Sequence, residues 1–301
     1  MKLYYYKDDV GNFGDDINPW LWDRLLPGFF DDDSSSLFVG IGSLLNHRIP
    51  AEASKIIFSS GYGYGELPII DKSWKFYCVR GPLTAKALGL PKNCAVTDGA
   101  TLIRSVITNQ KESVYPVSYM PHCASALNAD WENICRELSL HYIDPSESVG
   151  STIDAILKSD LLITEALHGA VVADALRTPW IPVKCYNYIF EFKWRDWLET
   201  LQIPYEPLTV PEMWDAERNM SMKRKLKFAL KRRLMAVRIW DNSWEKPSPP
   251  KTNAFIRQQV LEILNKCKND KKSFLSTDII IENLTQELLS RLERFKRNFS
   301  V

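Results

Sequence analysis

The stretch that most limits how this chain can fold runs from Ser159 to Val183, SDLLITEALHGAVVADALRTPWIPV. Asp160 to Thr164 is a short apolar run with no helical period, as expected of a strand covered on both faces. Glu165-Ala166-Leu167 turns the chain, and His168-Gly169 opens a run of small and β-branched residues ending before Pro179. Apolar nearly all round, that run predicts a buried helix. Such a core does not require a histidine at its first turn, where free backbone N–H groups and the helix dipole favour an anion. Two readings of His168 follow: it faces a phosphorylated or carboxylated small molecule, or it is a core histidine satisfied by a backbone partner.

The same alternation recurs upstream. Lys2 to Lys7, Leu37 to Ser43, Lys55 to Phe58, Phe76 to Val79 and Cys94 to Thr97 read as strands. A helix is expected from Asn18 to Leu26 and another from Pro82 to Leu88, with Pro82 in its first turn. Repeated strand–helix units predict a parallel sheet. The loop Gly11-Asn12-Phe13-Gly14-Asp15-Asp16 lies where Rossmann-like folds bring backbone close to a ligand. It is not GxGxxG, and its two carboxylates suit sugar hydroxyls or a general base better than a phosphate; a plain helix N-cap is the competing role. Gly61-Tyr62-Gly63-Tyr64-Gly65 offers flat rings on a pliant loop, which suits a sugar and equally a surface turn. Arg80 stands at a strand's carboxyl end, the ligand side of an open α/β sheet, or on the surface.

Polar residues from Thr108 to Pro116 interrupt the pattern and predict a linker. Residues 1–110 thus form one Rossmann-like domain and residues 116–210 a second, starting with the strand Val117 to Met120. His122 sits at that strand's end, as a ligand contact or merely a terminal residue. The aromatic and charged run Phe192-Lys193-Trp194-Arg195-Asp196-Trp197 is either a substrate-facing loop or the start of an amphipathic helix.

The formal net charge of +1 hides a division. Residues 218–301 hold 20 Lys and Arg against 8 Asp and Glu, whereas residues 1–217 hold 18 against 29. This basic extension is expected to be helical. From Met222 to Trp240, Leu226, Leu230, Leu234 and Val237 share one face; Arg224, Lys225, Lys231 and Arg232 point away from it, and Lys227 and Arg238 flank it. Such a helix suits an anionic membrane surface, or packs with a solvated charged side. Six cysteines without CxxC spacing predict reduced thiols in a cytosolic protein and no zinc site. No run reaches the roughly 18 apolar residues of a membrane span.

Taken together, Asn12 to Asn18, Gly40 to Leu44, Val79 to Thr84, Thr97 to Leu102, Pro121-His122 and Leu167-His168-Gly169 resemble the polysaccharide pyruvyl transferase family, in its exopolysaccharide-type bacterial branch. They occur in family order over roughly residues 1 to 200. The resemblance implies two Rossmann-like domains facing across a cleft, as in GT-B glycosyltransferases. It implies transfer of the enolpyruvyl group of phosphoenolpyruvate onto two hydroxyls of a sugar, giving a cyclic ketal and phosphate, with no cofactor and no metal. Arg80, His168 and Gly169 would then bind the donor. Some relatives carry Arg where Ala166 stands, so a second cation must come from elsewhere. Lys193, Arg195 and His122 are the candidates. His168 would carry the proton, and Asp15, ahead of Asp16 and Glu165, would deprotonate the hydroxyl; Asn12 joins these near the acceptor. The acceptor would be an exopolysaccharide sugar or its lipid-linked oligosaccharide precursor. The protein would then be cytoplasmic, peripheral at the inner face of the cytoplasmic membrane through its basic tail, with no nucleic-acid partner. Two readings compete: a glycosyltransferase using a nucleotide sugar, and a non-catalytic peripheral protein of a polysaccharide assembly.

Overall fold

The computed structural model describes residues 1–8, 10–109, 111–215, 217, 220–236, 247–269 and 272–300. Val237 and Arg238, placed by sequence on the basic helix, lie outside them. In chain order the strands are β1 (Lys2–Tyr4), β2 (Ser36–Val39), β3 (Ser54–Phe58), β4 (Trp74–Cys78), β5 (Ser118–Met120), β6 (His141–Tyr142), β7 (Leu162–Thr164), β8 (Trp180–Lys184) and β9 (Leu208–Thr209). The helices are α1 (Phe13–Leu25), α2 (Pro82–Ala87), α3 (Ile103–Val106), α4 (Cys123–Asn128), α5 (Trp131–Glu137), α6 (Val149–Leu157), α7 (Leu167–Ala175), α8 (Glu191–Leu201), α9 (Met222–Ala236), α10 (Ala254–Asn269) and α11 (Asp278–Phe299). The strands form two parallel sheets, of order β1-β2-β3-β4 and β6-β5-β7-β8-β9. The expected α/β class and parallel pairing are therefore present, and β7 is buried throughout.

Two local expectations change. Cys94 to Thr97 is not a fifth strand. Lys92–Cys94 winds into a 3-10 turn closed by Ala95 N–H onto Lys92 C=O, and only an isolated bridge joins Ala95 to Val79. The second change is the start of α1, five residues ahead of Asn18. Asn12 caps it through Gly14 N–H (3.2 Å), while the Asp16 carboxylate accepts from Asn12 N–H (3.0 Å). Pro19 is therefore inside the helix, where it cannot donate to the carbonyl of Asp15. The Asn18 side-chain amide supplies that bond instead at 3.0 Å, which lets the helix run through the proline.

A continuous apolar cluster runs through both sheets, taking in Trp22 of α1, Phe38 of β2, Ile153 of α6, Leu162 of β7 and Val171 of α7. The last two helices also pack. Val260 and Leu264 of α10 join the cluster around Trp131 and Ile163 on the second sheet. Phe295 of α11 sits edge-on to Phe38 (5.3 Å between ring centroids) and Tyr77 (5.4 Å), and Arg291 donates to Tyr77 C=O, all on the first sheet. Lys266 and Arg297 face water, Arg291 and Lys268 reach back to carbonyls of the body, and the apolar stripes are core. None of the six cysteines is paired in a disulfide, and among the described residues no helix is long and apolar enough to cross a membrane.

Candidate active site

Carboxyl ends of strands from both sheets converge on a cavity of about 520 Å³, lined from one side by residues 4–8, 42–44 and Asn46 and from the other by Met120, His122 and residues 166–168. His168 stands in the first turn of α7, whose N-cap Ala166 supplies no side-chain acceptor. One edge of its ring lies against Gly14: a Cβ there would be 2.2 Å from His168 Nδ1, so only glycine admits the imidazole. At the other edge, His168 Nε2 faces Asp98 Oδ2 at 3.6 Å. Both atoms are buried, and neither is within hydrogen-bond distance of any polar partner, so the two face each other as an ion-pair contact. Asp98 is fully buried and caps the 3-10 turn Gly99–Leu102 by accepting from Ala100 N–H at 3.0 Å. Burial pushes its carboxyl up, but the charges of His168 and Arg80 and its hydrogen bonds outweigh that and hold it below the usual carboxylate range. An ionised Asp98 favours a proton on the facing Nε2, which turns Nδ1 towards Gly14.

Asp15 lines the same cavity and accepts from the Asn12 side-chain amide at 2.6 Å. Burial raises its carboxyl to about 6 against the opposing pull of His168 and Lys193. Asp16, by contrast, is spent on the cap of α1. Glu165 is fully buried and accepts from the Ser125 hydroxyl, Cys185 N–H (2.7 Å) and Tyr186 N–H (3.2 Å). It ties β7 to the chain after β8 and presents no free oxygen to a substrate.

Arg80 differs most from its expected setting. It is fully buried, Nε on Asp196 Oδ2 (3.0 Å), Nη1 on Ser43 Oγ (2.8 Å) and Nη2 on Tyr62 C=O (3.1 Å). Asp196 also accepts from Thr84 N–H (2.8 Å) and Thr84 Oγ1 (2.6 Å). A Cβ on Gly61 would fall 2.2 Å from Arg80 Cζ, and one on Gly81 2.0 Å from Asp196 C=O. The Arg80-Gly81-Pro82-Leu83-Thr84 motif is thus a socket for α8, and Arg80 meets the cavity only through Ser43. Gly169 does not line it either: a Cβ there would strike Thr164 Oγ1 at 2.8 Å and Met120 Sδ at 2.9 Å.

Of the three cation candidates, Lys193 reaches the cavity, its Nζ on Tyr64 Oη at 2.8 Å. Arg195 pairs with Glu191 (3.1 Å) outside it. His122 is present as a neutral ring, since burial, helped by Lys193 and His168, lowers its pKa to about 3. Its Nδ1 caps α4 by accepting from Ala124 N–H. Lys7 and Arg48 complete the positive lining. Neither carries a local sequence signal, whereas Asp98 and Tyr64 lie within the Thr97–Leu102 and Gly61–Gly65 stretches.

Residues 2–186 match the family described as polysaccharide pyruvyl transferase. The chain is also 41% identical over 221 residues to the "Succinoglycan biosynthesis protein ExoV" of Rhizobium meliloti (strain 1021), covering 72% of this chain and 70% of that protein. The family match holds Asp15, Arg80, Asp98 and His168, and ends before Lys193.

Proposed function

The chain belongs to the polysaccharide pyruvyl transferase family, and we propose that it transfers the enolpyruvyl group of phosphoenolpyruvate to two hydroxyls of one sugar in an exopolysaccharide or its lipid-linked precursor. The observation that carries this reading is the pairing of His168 with the ionised Asp98 at a cavity that combines three cationic side chains with Asp15. A donor with a carboxylate and a phosphate calls for cations, and an acceptor hydroxyl calls for a base; both kinds of group are present.

In this scheme Lys193, Arg48 and Lys7 hold the donor's two anionic groups. Lys193 takes the place of the arginine that some relatives carry where Ala166 stands. Arg80 acts as a positioning residue, holding Ser43 and docking α8 so that Lys193 points inward. His168 delivers a proton to the donor's methylene carbon, generating an oxocarbenium-like centre. A sugar hydroxyl attacks that centre and loses its proton to Asp15. Phosphate then leaves with its bonding electron pair, which regenerates an oxocarbenium centre, and the second hydroxyl attacks it to close the ketal, giving its proton to the His168 ring left neutral by the first step. Asp15, with its carboxyl near 6, is mostly ionised at neutral pH yet basic enough to accept a proton.

The test is phosphate release from phosphoenolpyruvate in the presence of pyruvate-free exopolysaccharide oligosaccharides, beside thermal stabilisation by phosphoenolpyruvate and by nucleotide sugars. Acceptor-dependent phosphate release with stabilisation by phosphoenolpyruvate supports the reading. Stabilisation by a nucleotide sugar alone, with no phosphate released, would replace it with glycosyl transfer.

A further inference from the structure

Helix α9 is attached to the body by one side only. Phe228 is its buried residue, with Arg224 and Lys231 over the ring at 5.5 and 5.8 Å. Arg232 fastens the same helix to Glu217 and to Ser248 C=O (2.9 Å). The apolar stripe that the sequence predicts through Leu226 and Leu230 therefore does not pack inward. Met222, Leu226 and Leu230 follow one another at intervals of four, share the outer face, and are 70%, 66% and 59% exposed. Lys223 and Lys227 run beside them at the same spacing, Arg233 follows three residues after Leu230, and all three are exposed. No acid occurs between Met222 and Ala236.

We propose that this outer face of α9 docks the protein on an anionic lipid bilayer, with Met222, Leu226 and Leu230 entering the headgroup boundary and Lys223, Lys227 and Arg233 meeting lipid phosphates. An apolar centre rimmed by cations is the pattern of a helix lying in the interface plane. A nucleic-acid site would place cations, not three aliphatic side chains, at the middle of the face. A contact between two copies of α9 would bring its own cations together with no acid to meet them. The chain leading into α9 is anchored by Asp215 N–H on Asn128 C=O (2.6 Å), beside Leu127, which lines a second cavity of about 300 Å³. That cavity shares Asp8, Cys123 and Pro145 with the wall of the main one.

The full-length protein is mixed with vesicles of equimolar phosphatidylglycerol and phosphatidylcholine, or of phosphatidylcholine alone, and sedimented. Binding is expected to the anionic vesicles only, weakening as salt is raised. Each basic residue near such a surface contributes about fivefold, so Lys223→Gln with Lys227→Gln lowers the partition coefficient by about 25-fold. Leu226→Glu with Leu230→Glu removes binding altogether. Both pairs are exposed, so melting temperature and turnover on a soluble acceptor stay at wild-type values. Binding that both double variants retain overturns the proposal, as does equal binding to neutral vesicles. So does a concentration-dependent dimer that the Leu226→Glu, Leu230→Glu variant abolishes while vesicle binding is absent.

Discussion

At the scale of single residues, the site depends on how little freedom His168 has. Its ring is held between Gly14 and Asp98, so three substitutions probe one imidazole from three directions. His168→Ala removes the proton carrier and is expected to lower acceptor-dependent phosphate release by about 10²–10⁴-fold with the fold intact. Asp98→Asn keeps the shape but not the charge. It is expected to cost on the order of 10–100-fold in kcat with donor KM and melting temperature little changed, whereas a purely structural Asp98 would lower the melting temperature and leave kcat of the folded protein in place. Gly14→Ala intrudes on Nδ1 and should reduce kcat without changing helix content by circular dichroism. Asp15 adds a test of sign. Its folded-state carboxyl lies at about 6, above the usual 3.8, so its contribution to stability is fully present at low pH and is lost as pH rises through 6. Asp15→Asn should therefore stabilise the protein at pH 8 by about 1–3 kcal/mol relative to wild type, an advantage that disappears near pH 4, while abolishing the low-pH limb of activity. A variant that is no more stable than wild type at pH 8 would contradict the buried-carboxylate assignment.

At the scale of elements, the clearest device is the socket made by the turn before α2 for Asp196 of α8. Removing one partner from a buried ion pair leaves a charge without compensation. Asp196→Ala should accordingly cost about 3–5 kcal/mol in denaturant unfolding and raise the donor KM, because Lys193 loses its support. Spacing left Arg80 open between ligand and surface residue, and only the resemblance implied a donor role, since spacing reveals a strand end and a glycine but not an acid 116 residues away. The same limit hides the meeting of Asp98 with His168, which depends on how α7 packs on the 3-10 turn at Gly99–Leu102. What was legible depended on local chemistry. Buried strands showed as apolar runs, α7 showed by composition, and Asp15 showed by its place after β1. Helix α1 starts five residues earlier than its apolar period suggests, because Asn12 caps it and the Asn18 side chain fills the bond that Pro19 cannot make. Arg48 and Lys7 could not be found, because only the closing of loops around the cavity gives them a role.

For the whole molecule, the shared apolar cluster matters more than the two-sheet plan. Trp22, Phe38, Leu162 and Val171 belong to one contiguous core, so neither sheet has a complete interior without the other. Calorimetry should show a single cooperative transition, with calorimetric and van't Hoff enthalpies in agreement. Two separated peaks would mean that the sheets unfold independently. Helix α11 has a further consequence for how the protein is made. Arg291 bonds to a carbonyl 214 residues earlier, and Phe295 fills the space beside β2 and β4. A nascent chain therefore leaves the ribosome with its first sheet uncovered along one flank, and that flank stays open until α11 itself has emerged. Pairings this distant in sequence close slowly, so the exposed Phe38 and Tyr77 surface is where chaperones should be found during synthesis, and where chains cut short of α11 should aggregate.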